Sequence, residues 1–215
     1  MTLLKLFTAA SAATLLTALP ACAESAETGA QNAASDTETG NTQPQDAAMQ
    51  TEPEMNADTV SEAVSTIINR DREEVGTATF RQGPDGVVVT IEADLGEGSG
   101  AWHGAHLHQV GDCSNEDFTS SGGHINTLDN AHGFLNADGP DNADLPNVWL
   151  HSDGTMRAQA YTTLVSVDGQ TDAPSLLDSD GSALVIHENR DDMESQPIGG
   201  AGSRILCAVI ESGAQ

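Results

Sequence analysis

An antiparallel all-β domain, either a sandwich or a Greek-key barrel, is what this sequence predicts for its C-terminal three-quarters. Three observations carry the prediction. Short β-branched runs recur along residues 59–215, turn residues punctuate them, and no segment shows a sustained helical period. Two stretches, about 111–146 and 188–203, are too long and polar to be plain turns. Long loops within a compact domain are usually functional.

The elements follow in order. Val64–Ile68, Gly76–Phe80 and Val87–Ile91 read as strands, with Pro84-Asp85-Gly86 as the turn between the second and third. Further strands are expected over 103–110, 147–151, 155–162, 182–187 and 205–210. Asp153-Gly154 and Asp180-Gly181 mark turns before two of them.

Ahead of the domain lie two segments of different character. Residues 1–23 read as an export signal, with Lys5 as the charged start and Leu15-Leu16-Thr17-Ala18-Leu19 closing an apolar stretch. The stretch is short for a membrane span, and polar sequence follows it. Residues 24–58 carry eight acids and no Lys, Arg or aromatic residue. Such a segment buries too little apolar surface to offset chain entropy, so a disordered, self-repelling tether is expected.

Charge narrows the partners. The chain has 33 acids; removing the eight of the tether leaves 25 against six arginines, a formal −19 for the domain. Nucleic acid and anionic lipid surfaces are poor partners for that charge.

The histidines carry the chemistry. All seven lie between His103 and His187. Residues i and i+2 of a strand share a face, so His106 and His108 would project together and could bind one metal. His187 closes the apolar run Ala183-Leu184-Val185-Ile186. His124 follows Ser120-Ser121-Gly122-Gly123, where glycine permits close approach. Neutral imidazole is a favoured ligand of Cu(II).

These residues also carry a resemblance. His103-Gly104-Ala105-His106-Leu107-His108, Gly111-Asp112-Cys113, Ser121-Gly122-Gly123-His124, Ala131-His132-Gly133, Asp144-Leu145-Pro146, Val185-Ile186-His187-Glu188 and Gly199–Cys207 occur in one order. From about residue 63 to 211 the sequence resembles the copper/zinc superoxide dismutases, above all the exported bacterial ones. The resemblance implies an eight-stranded antiparallel Greek-key β-barrel with two long functional loops over the metals. It implies copper at His106, His108, His124 and His187, with His124 bridging to zinc and moving a proton during turnover. Zinc would take His124, His132 and Asp144. Asp191 would link ligands of the two metals, and Arg204 would guide anionic superoxide to copper. His103 matches a position of structural hydrogen bonding, and His151 is expected on a strand face.

One position departs from the family pattern. A third zinc histidine normally stands three residues before the zinc aspartate, and here that residue is Asp141. A carboxylate can ligate zinc, so His124, His132, Asp141 and Asp144 could still close a four-coordinate site. Such a set would be less zinc-selective than an imidazole-rich one. The departure bears on metal content rather than on fold.

The resemblance also pairs Cys113 with Cys207, as suits an oxidising compartment. Cys22 then has no partner. Leu19-Pro20-Ala21-Cys22 resembles a lipobox, which would make Cys22 a lipidated N-terminus, while Ala21-Cys22-Ala23 also fits cleavage for soluble export. The expectation is an exported superoxide dismutase, periplasmic or tethered through Cys22, as monomer or homodimer. The rival is a non-enzymatic periplasmic copper-binding or buffering protein. A structural β-sandwich of the adhesion type would leave the ordered histidines unexplained.

Overall fold

A computed structural model describes residues 61–211. The expected signal segment, the acidic tether and Cys22 fall outside the described residues.

The described chain forms nine strands: β1 (Glu62–Asn69), β2 (Glu74–Gln82), β3 (Val87–Asp94), β4 (Ala101–His103), β5 (Ala105–His108), β6 (Val148–Leu150), β7 (Thr155–Thr162), β8 (Ser182–His187) and β9 (Arg204–Ile210). They make one sheet in the order β4-β6-β7-β3-β2-β1-β9-β8-β5. Every paired neighbour is antiparallel.

Eight strands were expected and nine segments are present, because the expected strand over 103–110 is interrupted at Gly104. The Gly104 amide donates to Asn189 O at 2.9 Å, and the His187 amide donates to Gly104 O at 2.8 Å. A Cβ at Gly104 would stand 3.0 Å from Ala201 Cβ and 3.3 Å from Asp191 Cβ, tighter than ordinary contact. Glycine there lets the loop between β8 and β9 close onto the strand. Its two pieces, β4 and β5, are the two ends of the sheet order, so the sheet nearly closes on itself and leaves little open edge.

Period-two burial explains which residues face inward. Along β3, Val87, Val89, Ile91 and Ala93 are buried, while Glu92 and Asp94 are exposed. With Phe80, Leu107, Met156, Leu184, Leu206 and others they form one continuous core. Burying a side chain such as Leu107 contributes about 1.5–3 kcal/mol.

β5 and β8 break the alternation, since both are buried on both faces. Ala105 and Leu107 of β5 face the barrel core, and His106 and His108 face the other way, beneath loops. On β8, Leu184 and Ile186 join the main core, whereas Ala183 and Val185 pack with Cys113, Phe118 and Cys207.

The loops that cover these outer faces are 109–147 and 188–203, close to the two functional stretches expected. A disulfide joins Cys113 to Cys207, 94 residues apart, and ties the first loop to β9. Chain-entropy reasoning assigns a loop of that length about 4–5 kcal/mol.

Candidate metal centre

Among the described residues, six imidazole and carboxylate atoms are buried with no hydrogen-bond partner: His106 Nδ1, His108 Nε2, His124 Nε2, His132 Nδ1, His187 Nε2 and Asp144 Oδ1. A buried polar atom left unpaired costs about 1–3 kcal/mol. A cluster of them requires a common partner, and lone pairs that converge in this way suit a cation.

The partners of the remaining ring nitrogens fix the tautomers. His108 Nδ1 donates to Gly122 O at 2.9 Å, and His187 Nδ1 donates to Gly202 O at 3.0 Å. A carbonyl only accepts, so each Nδ1 carries the hydrogen and each Nε2 presents a lone pair. Asp191 does the same for two more rings. Its Oδ2 accepts from His106 Nε2 at 3.0 Å and its Oδ1 from His132 Nε2 at 3.1 Å, which leaves both Nδ1 atoms free. Orientation by an outer partner is the usual condition of a ligating imidazole.

Two donor sets result. The rings of His106, His108, His124 and His187 form one cluster: centroids lie 4.4 Å from His106 to His124, 4.8 Å from His106 to His187 and 5.3 Å from His108 to His124. Donor atoms of His106, His108 and His124 all lie within 4.8 Å of one another. The same limit holds for His124, His132, Asp141 and Asp144. His124 belongs to both sets through its two nitrogens: Nε2 is free, and Nδ1 lies 2.8 Å from Asp141 Oδ2.

Asp141 and Asp144 are built into the second set. Both are buried. Asp144 Oδ2 accepts from the Gly133 amide at 2.8 Å and the Asp141 amide at 3.0 Å, which leaves Oδ1 to face His132 Nδ1 at 2.5 Å. The other oxygen of Asp141, Oδ1, accepts from the Ala143 amide at 2.9 Å. Two imidazoles and two carboxylates supply the four ligands of a tetrahedral ion, so the altered position remains able to ligate. A third grouping, His106, His132, Asp144 and Asp191, reflects Asp191 spanning the other two.

Electrostatics divides the two sets. Burial pulls the His108 imidazole down to about 2 and that of His187 to about 3, and it lowers His106 as well. These rings are neutral and ready to ligate at neutral pH. Burial also opposes charge on His132, but Asp144 and Asp191 outweigh it and raise this ring to about 10. In Asp191, hydrogen bonds from His106, His132 and the Met193 amide outweigh burial and hold the carboxyl well below the usual range. The second set therefore demands positive charge more strongly than the first.

Arg204 stands at the start of β9. Its Nη1 donates to Phe118 O at 2.8 Å and Ser121 Oγ at 2.9 Å, and its Nη2 donates to Gly122 O at 2.8 Å. Gly122 O thus holds both Arg204 and His108. Arg204, His108, His124 and His187 line one cavity of about 370 Å3, together with Arg70, Asp117, Thr119, Ile198, Gly202 and Ser203.

The family model described as copper/zinc superoxide dismutase (SODC) matches residues 74–210. This chain belongs to the copper/zinc superoxide dismutase family. A superoxide dismutase [Cu-Zn] from Caulobacter vibrioides is 43% identical over 150 residues, covering 69% of this chain and 85% of that one. A superoxide dismutase [Cu-Zn] from Aquifex aeolicus is 37% identical over 145 residues, covering 67% and 85%. The crystal structure of a superoxide dismutase-like protein from Bacillus subtilis superposes with a TM-score of 0.64 at 33% identity, covering 68% of this chain and 97% of that one. Copper and zinc are the metals of the superoxide dismutase family, and the donor atoms here fit both.

The structure groups His106, His108, His124, His132, Asp141, Asp144 and Asp191 through their donor atoms, sets the His187 ring beside that of His106, and brings Arg204 to the cavity that His108, His124 and His187 line. His103 is in neither donor set. Its Nδ1 pairs with His187 O at 2.7 Å and its Nε2 with Ser99 Oγ at 2.7 Å. His151 is exposed just beyond β6.

Several supporting groups were not foreseen. Gly122 O and Gly202 O orient rings, and a carbonyl leaves no mark on residue type. Asn147 clamps Asp191 by donating to its carbonyl and accepting from its amide, both at 2.9 Å. Only its place just after Asp144-Leu145-Pro146 could have hinted at that.

Proposed function

We propose that this domain is an exported superoxide dismutase, with copper at His106, His108, His124 and His187 and zinc at His124, His132, Asp141 and Asp144. One observation carries the reading. The unpaired nitrogens of His108, His124 and His187 belong to the same cavity as a guanidinium whose position three hydrogen bonds determine.

The chemistry that copper supplies when bound is one-electron exchange, by which one superoxide is oxidised to O2 and a second, with two protons, is reduced to hydrogen peroxide. The protein's own groups do the rest. Arg204 attracts the anion and orients it, since its anchors leave the guanidinium at the cavity wall. His124 holds a proton at Nε2 while Nδ1 stays on the Asp141 side, a role that its unpaired Nε2 and the 2.8 Å contact of Nδ1 with Asp141 Oδ2 support. Asp191 keeps His106 and His132 in the ligating tautomer.

Arg204→Glu tests the role of this arginine. The variant should retain copper and lose most of its superoxide consumption, measured on one sample. Unchanged turnover would remove Arg204 from the mechanism.

The Cys113–Cys207 disulfide and the character of residues 1–23 support export to an oxidising compartment. Tethering through a lipidated Cys22 is the finer proposal, and the intact mass of the mature chain tests it. Assembly as monomer or homodimer is decided by sedimentation.

A further inference from the structure

We infer that Arg70 is a second guidance residue for the anionic substrate. The inference rests on the dismutase reading above.

Arg70 lies in the turn between β1 and β2, far from the metal-binding loops in sequence. Pairing of β1 with β9 sets Asn69 opposite Leu206, so the chain that follows Asn69 runs beside the start of β9. There Arg70 Nε donates to the main-chain oxygen of Arg204 at 2.8 Å. Arg70 is exposed, and it lines the cavity that holds Arg204, His108, His124 and His187.

The other arginines of the domain do not serve this cavity. Arg81 pairs with Glu62 at 2.9 Å and Arg157 pairs with Glu92. Arg72 gives both Nη atoms to Cys113 O and Ser114 O. Arg190 is not among the lining residues. Arg70 uses only Nε among the described residues, which leaves both Nη atoms available.

The charge of the whole domain makes this placement consequential. A formal −19 repels superoxide at long range, so capture depends on positive charge focused at the cavity. Among the described residues Asp117 is the one acid in the lining, and hydrogen bonds from Thr119 favour its ionised form. With Arg204 alone the lining would be neutral. Arg70 makes it cationic.

The test uses the full chain loaded with copper, as wild type and as Arg70→Ala, Arg70→Glu and Arg70→Lys. Copper content, the second-order rate with superoxide, its dependence on ionic strength, and azide affinity from the copper absorption bands are read on each. We expect unchanged copper, a rate lower by about threefold for Arg70→Ala and by about tenfold for Arg70→Glu, and recovery in Arg70→Lys. Azide affinity should fall in parallel, and the slope of rate against ionic strength should move in the positive direction. Wild-type rate and azide affinity in Arg70→Glu would overturn the inference. So would an Arg70→Lys variant as impaired as Arg70→Ala, because that would make the Arg204 contact, not the charge, the source of the effect. A wild-type protein with no turnover would instead sink the dismutase reading, while the azide series would still decide whether Arg70 attracts anions.

Discussion

Asp141 puts a carboxylate beside His124 Nδ1 where the family pattern has an imidazole. On the proposed ligand set the second metal position carries two carboxylates, a harder and more negative set, which would discriminate less between zinc and other divalent ions. Asp141→His should raise zinc affinity relative to manganese in a competition titration. Asp141→Ala should lower zinc affinity by more than the about 10–100-fold typical of losing an outer partner, with copper retained. Equal zinc affinity in all three proteins would remove Asp141 from the ligand set. At this scale the sequence was most legible where a side chain itself does the work. His106 and His108 could be placed on one face because a strand has period two. Gly122 O, Gly202 O and the Asn147 clamp could not, because their roles depend on where a distant chain passes. Arg70 was invisible for the same reason: its contact with Arg204 spans 134 residues.

The loop over 188–203 shows how backbone conformation in one element holds a site. Gly199 has φ +58°, and a Cβ there would collide with Asp191 Oδ1. The Gly199 amide also donates to Ser195 O at 2.6 Å, and the Asp192 amide to Gly199 O at 2.9 Å. Gly199→Ala should therefore displace the Asp191 carboxylate and release the tautomers of His106 and His132. We expect a loss of affinity for both metals of about tenfold, near the lower end for an outer partner. Metal titration checks this, and wild-type affinity in that variant would mean that Asp191 does not govern the rings. The strands were legible because hydrophobic alternation and turn residues mark them. The split at Gly104 was not, because it arises from the later loop packing onto the strand.

Across the whole molecule, the metal sites and stability are coupled through protons. Burial depresses His106, His108 and His187, the last two to about 3 or below, while His132 is raised to about 10. In the metal-free protein, pH falling below 6.5 lets the unfolded chain take up protons at three rings that the folded chain keeps neutral. Acid therefore destabilises. As pH rises above 6.5, the unfolded chain loses the His132 proton that the folded chain keeps up to about 10, so alkali destabilises too. The thermal midpoint of chelator-treated protein should peak near pH 6.5 and fall on both sides, and a steady rise between about pH 5 and about pH 9 would contradict these assignments. Bound metal takes the same lone pairs, so the loaded protein should be more stable and less sensitive to pH.

Metal content and superoxide consumption, measured on the same purified full chain, test the central claim most directly. The account predicts one copper and one zinc per chain with rapid turnover. Copper bound without turnover would contradict it and would favour a copper-carrying protein on the same barrel.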